Sequence, residues 1–397
     1  MTIKHHSTFR AALLMTLLLI ITIASTQIRA DSGSCAGGNT TLPFTDVMGN
    51  PFFCDIAEAF FSGLTNGTTP TTYSPGQNVP REQMAAFVTR TLDQSLKRGS
   101  RRAALKQFWT PTSEVGFGLT PVGVGPVLVE SDGGDLWVTN SKSEGVSRVR
   151  ASDGKLLETW TGAPGAIGVL AAKGLIFVTG GTTPGSLYRI DPTQPAGAVA
   201  TLTSALGDSP VGIAFDGARI WTANTGGSVS IVTLDPLSVT NVTVGFISPI
   251  GILYDGNNMW VTDTGSRPGN LFKLDSSGAI IQTVTVGDVP ELSVFDGTNI
   301  WVPNFDALSV TVVRASTGTV LATLTGNGLV FPQVTAFDGE RILVTSKFGN
   351  SVSLWKAADL SPLGTLSTGT GTNPTGVCSD GLNFWIVMQG IDKLARF

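Results

Sequence analysis

The chain has 397 residues, of which 14% are charged, with 48 glycines and a formal net charge of −4. That charge content, against ~25% in ordinary soluble domains, together with a 42% hydrophobic share, excludes a disordered chain, and no basic excess supports a polybasic nucleic-acid binder. Three cysteines are too few for a disulfide-dense scaffold, and the length calls for two or three domains or one large repetitive one.

At the amino terminus, Lys4 and Arg10 precede a mostly apolar run over residues 11–24. The run is shorter than the ~20 residues of a membrane span and suits the apolar centre of a secretory signal. We therefore read residues 1–30 as an export signal, the alternative being an uncleaved anchor, with small residues Ala24, Ser25 and Ala30 near its cleavage points, and expect no transmembrane segment after its removal. Both histidines, His5 and His6, leave with it, and the remaining 22 basic and 29 acidic residues give a net charge of −7. Export also permits Cys35 and Cys54 to pair, which leaves Cys378 over, in an apolar strand.

Residues 31–96 read as a small helical module. Ile56, Ala57, Phe60, Phe61 and Leu64 recur at helical spacing. A Gly-, Thr- and Pro-rich loop follows, and Pro80 opens a second helix from Arg81 to about Leu96, with Met84, Ala85, Phe87, Val88 and Leu92 on one face. The texts FTDV from Phe44, IAEAFFSGLTNG from Ile56, YSP from Tyr73 and VPREQMAAFVTRTL from Val79 resemble a single S-layer homology module. The family's Thr-Arg-Ala-Glu-like motif is Pro80-Arg81-Glu82-Gln83 here. The resemblance implies anchoring to cell-wall polysaccharide or peptidoglycan, with Arg81 and Glu82 at the contact. The alternative for these two residues is a helix start that merely faces water. A basic linker over 97–109 follows, with five bases and no acid among residues 97–106.

The rest of the chain, 110–397, is one repeated unit. Proline recurs at Pro126, Pro164, Pro210, Pro249, Pro290, Pro332 and Pro374, spaced 38 to 46 residues apart. Each is followed by a bulky residue: Trp137, Phe177, Trp221, Trp260, Trp301, Leu343 and Trp385. Between the two lies Asp-Gly in every unit but the second, which has Lys173-Gly174. Each unit reads as four short strands with a tight turn at Asp-Gly, which is the propeller blade. The fold class is thus mainly β, a seven-bladed β-propeller with a small N-terminal α-helical module. The seventh unit has one strand too few, and a spare strand-like segment at 113–119 precedes the first proline. The two should join in a composite blade that closes the ring. Texts such as LWVTN at 136–140 and WVTD at 260–263 resemble YVTN-type repeats of bacterial surface proteins, and the Pro-x-Gly-Ile…Asp-Gly-x-x-x-Trp arrangement resembles virginiamycin B lyase and NHL-type propellers.

The lyase family uses a histidine base and a divalent cation, and the chain after its signal has no histidine, so that base does not carry over. Ser-His-Asp and Cys-His schemes fail on the same ground. No cofactor and no metal site is expected. The Asp-Gly aspartates recur once per unit and read as turn formers. Residues that end second strands or break the repeat, Asn140, Asn224, Asp263, Arg267, Asn304 and Asp306, should share one face of the disc. They either bind a protein or glycan there or merely cap strand ends. The expected function is an exported cell-envelope protein whose module anchors a non-enzymatic binding propeller; the alternative is a lyase or hydrolase on the same face.

Overall fold

The structure, a computed structural model, describes residues 30–35, 38–97 and 118–397, with side chains in the last helix as far as Thr91. The export signal apart from Ala30, the basic linker beyond Lys97 and residues 113–117 lie outside the described residues. No helix among the described residues is long and apolar enough to cross a membrane.

Seven four-stranded antiparallel sheets follow one another along the chain. Blades one to six span 126–161, 166–206, 210–242, 249–285, 294–325 and 332–367. The seventh combines Pro374–Ser379, Phe384–Met388 and Lys393–Arg396 with Gly118–Pro121, which pairs antiparallel to Lys393–Arg396. The fold is a seven-bladed β-propeller closed by strands from both ends of the repeat region. The closing strand lies at the end of the spare segment and two residues beyond it, because Leu119 and Thr120 face Ala395 and Leu394 in the register.

The repeat motif has a physical cause at each position. The first strands of neighbouring blades approach closely near the axis: a Cβ on Gly251 would stand 2.6 Å from Thr262 Oγ1 and 3.0 Å from the Glu291 carbonyl oxygen. At each Asp-Gly the glycine has a positive φ, +94° at Gly256, for example. The aspartate also fixes the tryptophan. Oδ1 of Asp255 accepts the Asn257 and Asn258 N–H, and Oδ2 accepts the Trp260 indole at 2.8 Å. The same indole bond joins Asp132 to Trp137, Asp216 to Trp221, Asp296 to Trp301 and Asp380 to Trp385. Unit two, with Phe177, has no indole to bind and no aspartate. Unit six keeps Asp338 but has Leu343, and Arg341 Nε takes the carboxylate oxygen at 2.9 Å. Burial alone would raise the Asp132 carboxyl, but the Trp137 and backbone hydrogen bonds and the Arg148 charge outweigh it and hold it below its ordinary value.

The N-terminal module is a hairpin, Asp31–Cys35 with Gly38–Leu42, followed by helices α1 (Phe53–Phe61) and α2 (Arg81–Lys97). The Cys35–Cys54 disulfide ties hairpin to α1, with Cα atoms 5.5 Å apart. The module is no free tether. Phe44, Ile56 and Phe61 share a core with Trp301, Trp355 and Leu360 of blades five and six. Arg314 Nη2 donates to the Phe60 carbonyl at 2.7 Å, Asn299 Nδ2 to the Phe61 carbonyl at 2.9 Å, and Lys356 pairs with Glu58 at 3.3 Å. Asn299, Arg314 and Lys356 all sit at the end of the disc that carries the Asp-Gly turns, here called the turn face. Helix α2 behaves differently. Its expected apolar side is open to water, with Met84 51% and Val88 62% exposed, while Arg90 Nη1 donates to the Leu64 carbonyl at 3.2 Å.

Candidate functional site

The opposite end of the disc, the loop face, is built from the connections after second strands and before first strands. All six residues expected there lie on it, but four are buried and committed to the scaffold. Asn140 Nδ2 bonds Ser147 Oγ at 3.1 Å, Asn224 Nδ2 bonds Ser230 Oγ at 2.8 Å, and Asn304 Nδ2 bonds Thr311 Oγ1 at 2.9 Å. In blade four the corresponding third-strand residue is Phe272, opposite Val261, so an amide would find no hydroxyl acceptor. Asp263 stands there instead and accepts the N–H groups of Ile247, Ser248 and Gly265. These four side chains tie down loops, which is the capping role.

The other two meet in space. Arg267 Nη2 pairs with Asp306 Oδ2 at 2.5 Å, and its Nη1 lies 3.9 Å from Asp288. This exposed triad links the loops of blades four and five. Beside Asp306, Phe305 joins Phe331 and Phe348 in an aromatic trio with ring centroids 5.0 to 5.9 Å apart. Phe348 is 59% exposed, and Leu308 and Val330 add exposed apolar surface on the same loops.

Inside this rim stand two residues that the motif analysis passed over. The position after the repeat proline is Val127, Val211 or Ile250 in blades one, three and four and Gly165 in blade two, but Glu291, Gln333 and Thr375 in blades five to seven. Glu291 is only 7% exposed, and its Oε2, like Gln333 Oε1, has no hydrogen-bond partner. The two stand side by side: Leu292 N–H donates to the Gln333 carbonyl at 3.2 Å across the innermost strands. Burial pushes the Glu291 carboxyl up to about 8; the Lys347 charge opposes this and the Asp306 charge adds to it. Glu291 therefore holds its proton at neutral pH. The break from Val/Ile to Glu/Gln after proline was the sequence signal, legible once the repeat was aligned.

Because its folded pKa is raised above the ordinary 4.5, Glu291 contributes least strain at low pH and costs stability as pH rises towards about 8. Glu291→Gln removes the ionisation. The variant should gain on the natural chain between these pH values and hold a lead of about 5 °C in Tm above the upper one. Parallel melting curves at pH 5, 7 and 9 check this; equal Tm differences at all three would refute it.

A second acid with a raised pKa, the half-buried Glu130, lies at the far end of the first strand of blade one, opposite Trp137, where desolvation raises it to about 7 beside the free, buried Cys378 of blade seven. A cavity of about 2040 Å³ opens between the module loop at 66–70 and blades four to six and is not lined by Glu291 or Gln333. Among the described residues, no three His, Cys, Asp or Glu side chains gather to hold a metal.

No family model and no curated protein matches the chain. Solved structures do. A hydrazine synthase structure from Kuenenia stuttgartiensis is similar with a TM-score of 0.59 at 17% identity, over 73% of this chain and 98% of that one. A virginiamycin B lyase from Staphylococcus aureus is similar with a TM-score of 0.59 at 19% identity, over 70% and 98%. The WD40 propeller domain of Doa1 is similar with a TM-score of 0.58 at 16% identity, over 71% and 96%. What they share with this chain is the propeller. At such identities the likeness shows fold alone.

Proposed function

We propose that this chain is an exported, non-enzymatic binding protein of the cell envelope, periplasmic or at the cell surface. Its propeller takes a protein or glycan on the loop face, and its S-layer homology-like module contacts wall polysaccharide or peptidoglycan through Arg81 and Glu82. One observation carries the reading. On the loop face an aromatic trio with Phe348 exposed lies on the same blades as the unpartnered buried oxygens of Glu291 and Gln333, while the described residues of the module pack against the opposite end. Unpaired buried polar groups cost about 1–3 kcal/mol each, and a ligand that bonds them recovers it. Arg81 and Glu82 are exposed at the start of α2. The test is capture from envelope extract by the full chain, which should fall at least tenfold with Phe348→Ala. Retention on isolated peptidoglycan sacculi should fall with Arg81→Ala. Capture indifferent to Phe348, or retention indifferent to Arg81, removes the corresponding half of the proposal.

A second reading, a lyase or hydrolase on the same face, is favoured by Glu291, whose proton at neutral pH suits a general acid. Streptogramin B, named for one of the similar structures, is a direct probe. Opening of the antibiotic, lost in Glu291→Gln, would support the enzyme, and unchanged antibiotic would count against it.

A further inference from the structure

Resting on the binding-face reading, we propose that the ligand is an extended peptide segment: a bulky apolar side chain lodges against Phe305, Phe331 and Phe348, and the backbone N–H and C=O of one residue bond Gln333 and Glu291. The stoichiometry of unpaired groups selects this class. A peptide unit has one donor and one acceptor. Gln333 Oε1 is an acceptor without a donor. Glu291, neutral because burial outweighs the Lys347 charge, offers an O–H to a carbonyl. One residue of an extended segment, whose N–H and C=O face the same side, satisfies both.

A sugar fits less well. Each ring hydroxyl needs a polar partner once dehydrated, and the amide and carboxylate groups beside the trio on blades five and six are engaged, the face's other buried oxygen without a partner, Asn140 Oδ1, lying on blade one. Asn304 is bonded to Ser309, Thr311 and the Gly287 N–H. Asn350 Oδ1 accepts the Asn373 N–H at 3.0 Å, and Asp306 is held by Arg267. The aromatic surface is phenylalanine only, without the polar edge that Trp or Tyr would give a sugar. The apolar and polar halves are also contiguous. Phe331 precedes Gln333 on one segment, Phe305 N–H donates to the Val289 carbonyl just before Glu291 at 2.8 Å, and Phe348 follows Lys347, whose charge acts on Glu291. Lys347 and Asp306 are the charged groups that act on Glu291, and the Arg267–Asp288–Asp306 triad forms the rim beyond them.

The probe is N-acetyl-phenylalaninamide, titrated by calorimetry or ligand-observed NMR into the full chain, with N-acetylglucosamine as comparison. Millimolar binding is expected at pH 6.5, as a fragment allows, weakening at least tenfold at pH 9.5 when Glu291 is ionised and no longer donates. Glu291→Gln should bind with no such pH dependence, because its N–H replaces the O–H. Phe348→Ala and Glu291→Ala should each lose binding while circular dichroism shows them folded. Binding unchanged by pH and by these variants overturns the proposal. Preference for N-acetylglucosamine, lost in Phe348→Ala, overturns it in favour of a glycan. Should the probe fail while envelope capture still depends on Phe348, the peptide class is wrong and the binding face stands. Should capture also ignore Phe348, the face itself is wrong.

Discussion

Removal of residues 393–397 is expected to abolish the folded propeller. The strand Lys393–Arg396 lies between Phe384–Met388 and Gly118–Pro121 and holds the ring shut through hydrogen-bonded ladders on both edges. Leu394 and Ala395 are fully buried. Just before the strand, Asp392 Oδ1 accepts the Gly125 N–H at 2.8 Å, which ties the start of blade one to the end of blade seven. Truncation removes both ladders and leaves Gly118–Pro121 without a sheet. The loss is on the order of 5 kcal/mol or more, comparable with the whole stability of a typical domain. It also exposes an edge strand that invites aggregation. No cooperative melt and elution as aggregate are expected. A cooperative transition within about 5 °C of the full chain would refute ring closure by this strand. Leu394→Asp keeps the backbone ladder and attacks the core alone, so it should destabilise less than the truncation.

The second large effect is expected at Asp296. Its carboxylate is fully buried and accepts Thr298 N–H at 2.8 Å, Asn299 N–H at 2.7 Å and the Trp301 indole at 2.9 Å. Asp296→Ala leaves those donors buried and unmet, at a cost of about 3–4 kcal/mol. The damage should spread, because Asn299 also holds the Phe61 carbonyl of the docked module. Asp255→Ala in blade four removes the same three kinds of bond at a partly exposed turn that makes no hydrogen bond to the module among the described residues. It should cost about half as much. Urea midpoints for the two variants measure the difference. Equal losses would show that the docked module adds nothing at Asp296.

Much of the architecture was legible because a propeller repeats its causes. Proline returns at each blade and Gly, Asp-Gly and Trp at most of them, since each answers a local need: the close approach of Gly251 to the next blade, the positive φ at Gly256, the indole that Asp255 receives. The site was legible only in part. Arg267 and Asp306 broke the repeat and do meet, whereas Asn140, Asn224, Asp263 and Asn304 look like binding residues in the sequence and are consumed by loops. Their partners are Ser or Thr on the neighbouring strand, or backbone N–H groups, and strand register decides which.

The sequence by itself determined the blade number, the strand order within each blade, the composite seventh blade and the pairing partners available to Cys35, because these rest on periodicity and short-range chemistry. Only the tertiary structure decided that the module packs on blades five and six while one side of α2 stays in water, since docking depends on which surfaces of distant segments are complementary. It likewise decided that Glu291 and Gln333 stand together, each with a buried oxygen without a partner, on the blades whose loops carry the three phenylalanines. They are far from one another in charge pattern and motif, and closing the ring into a packed, dehydrated axis makes them neighbours and raises the Glu291 pKa.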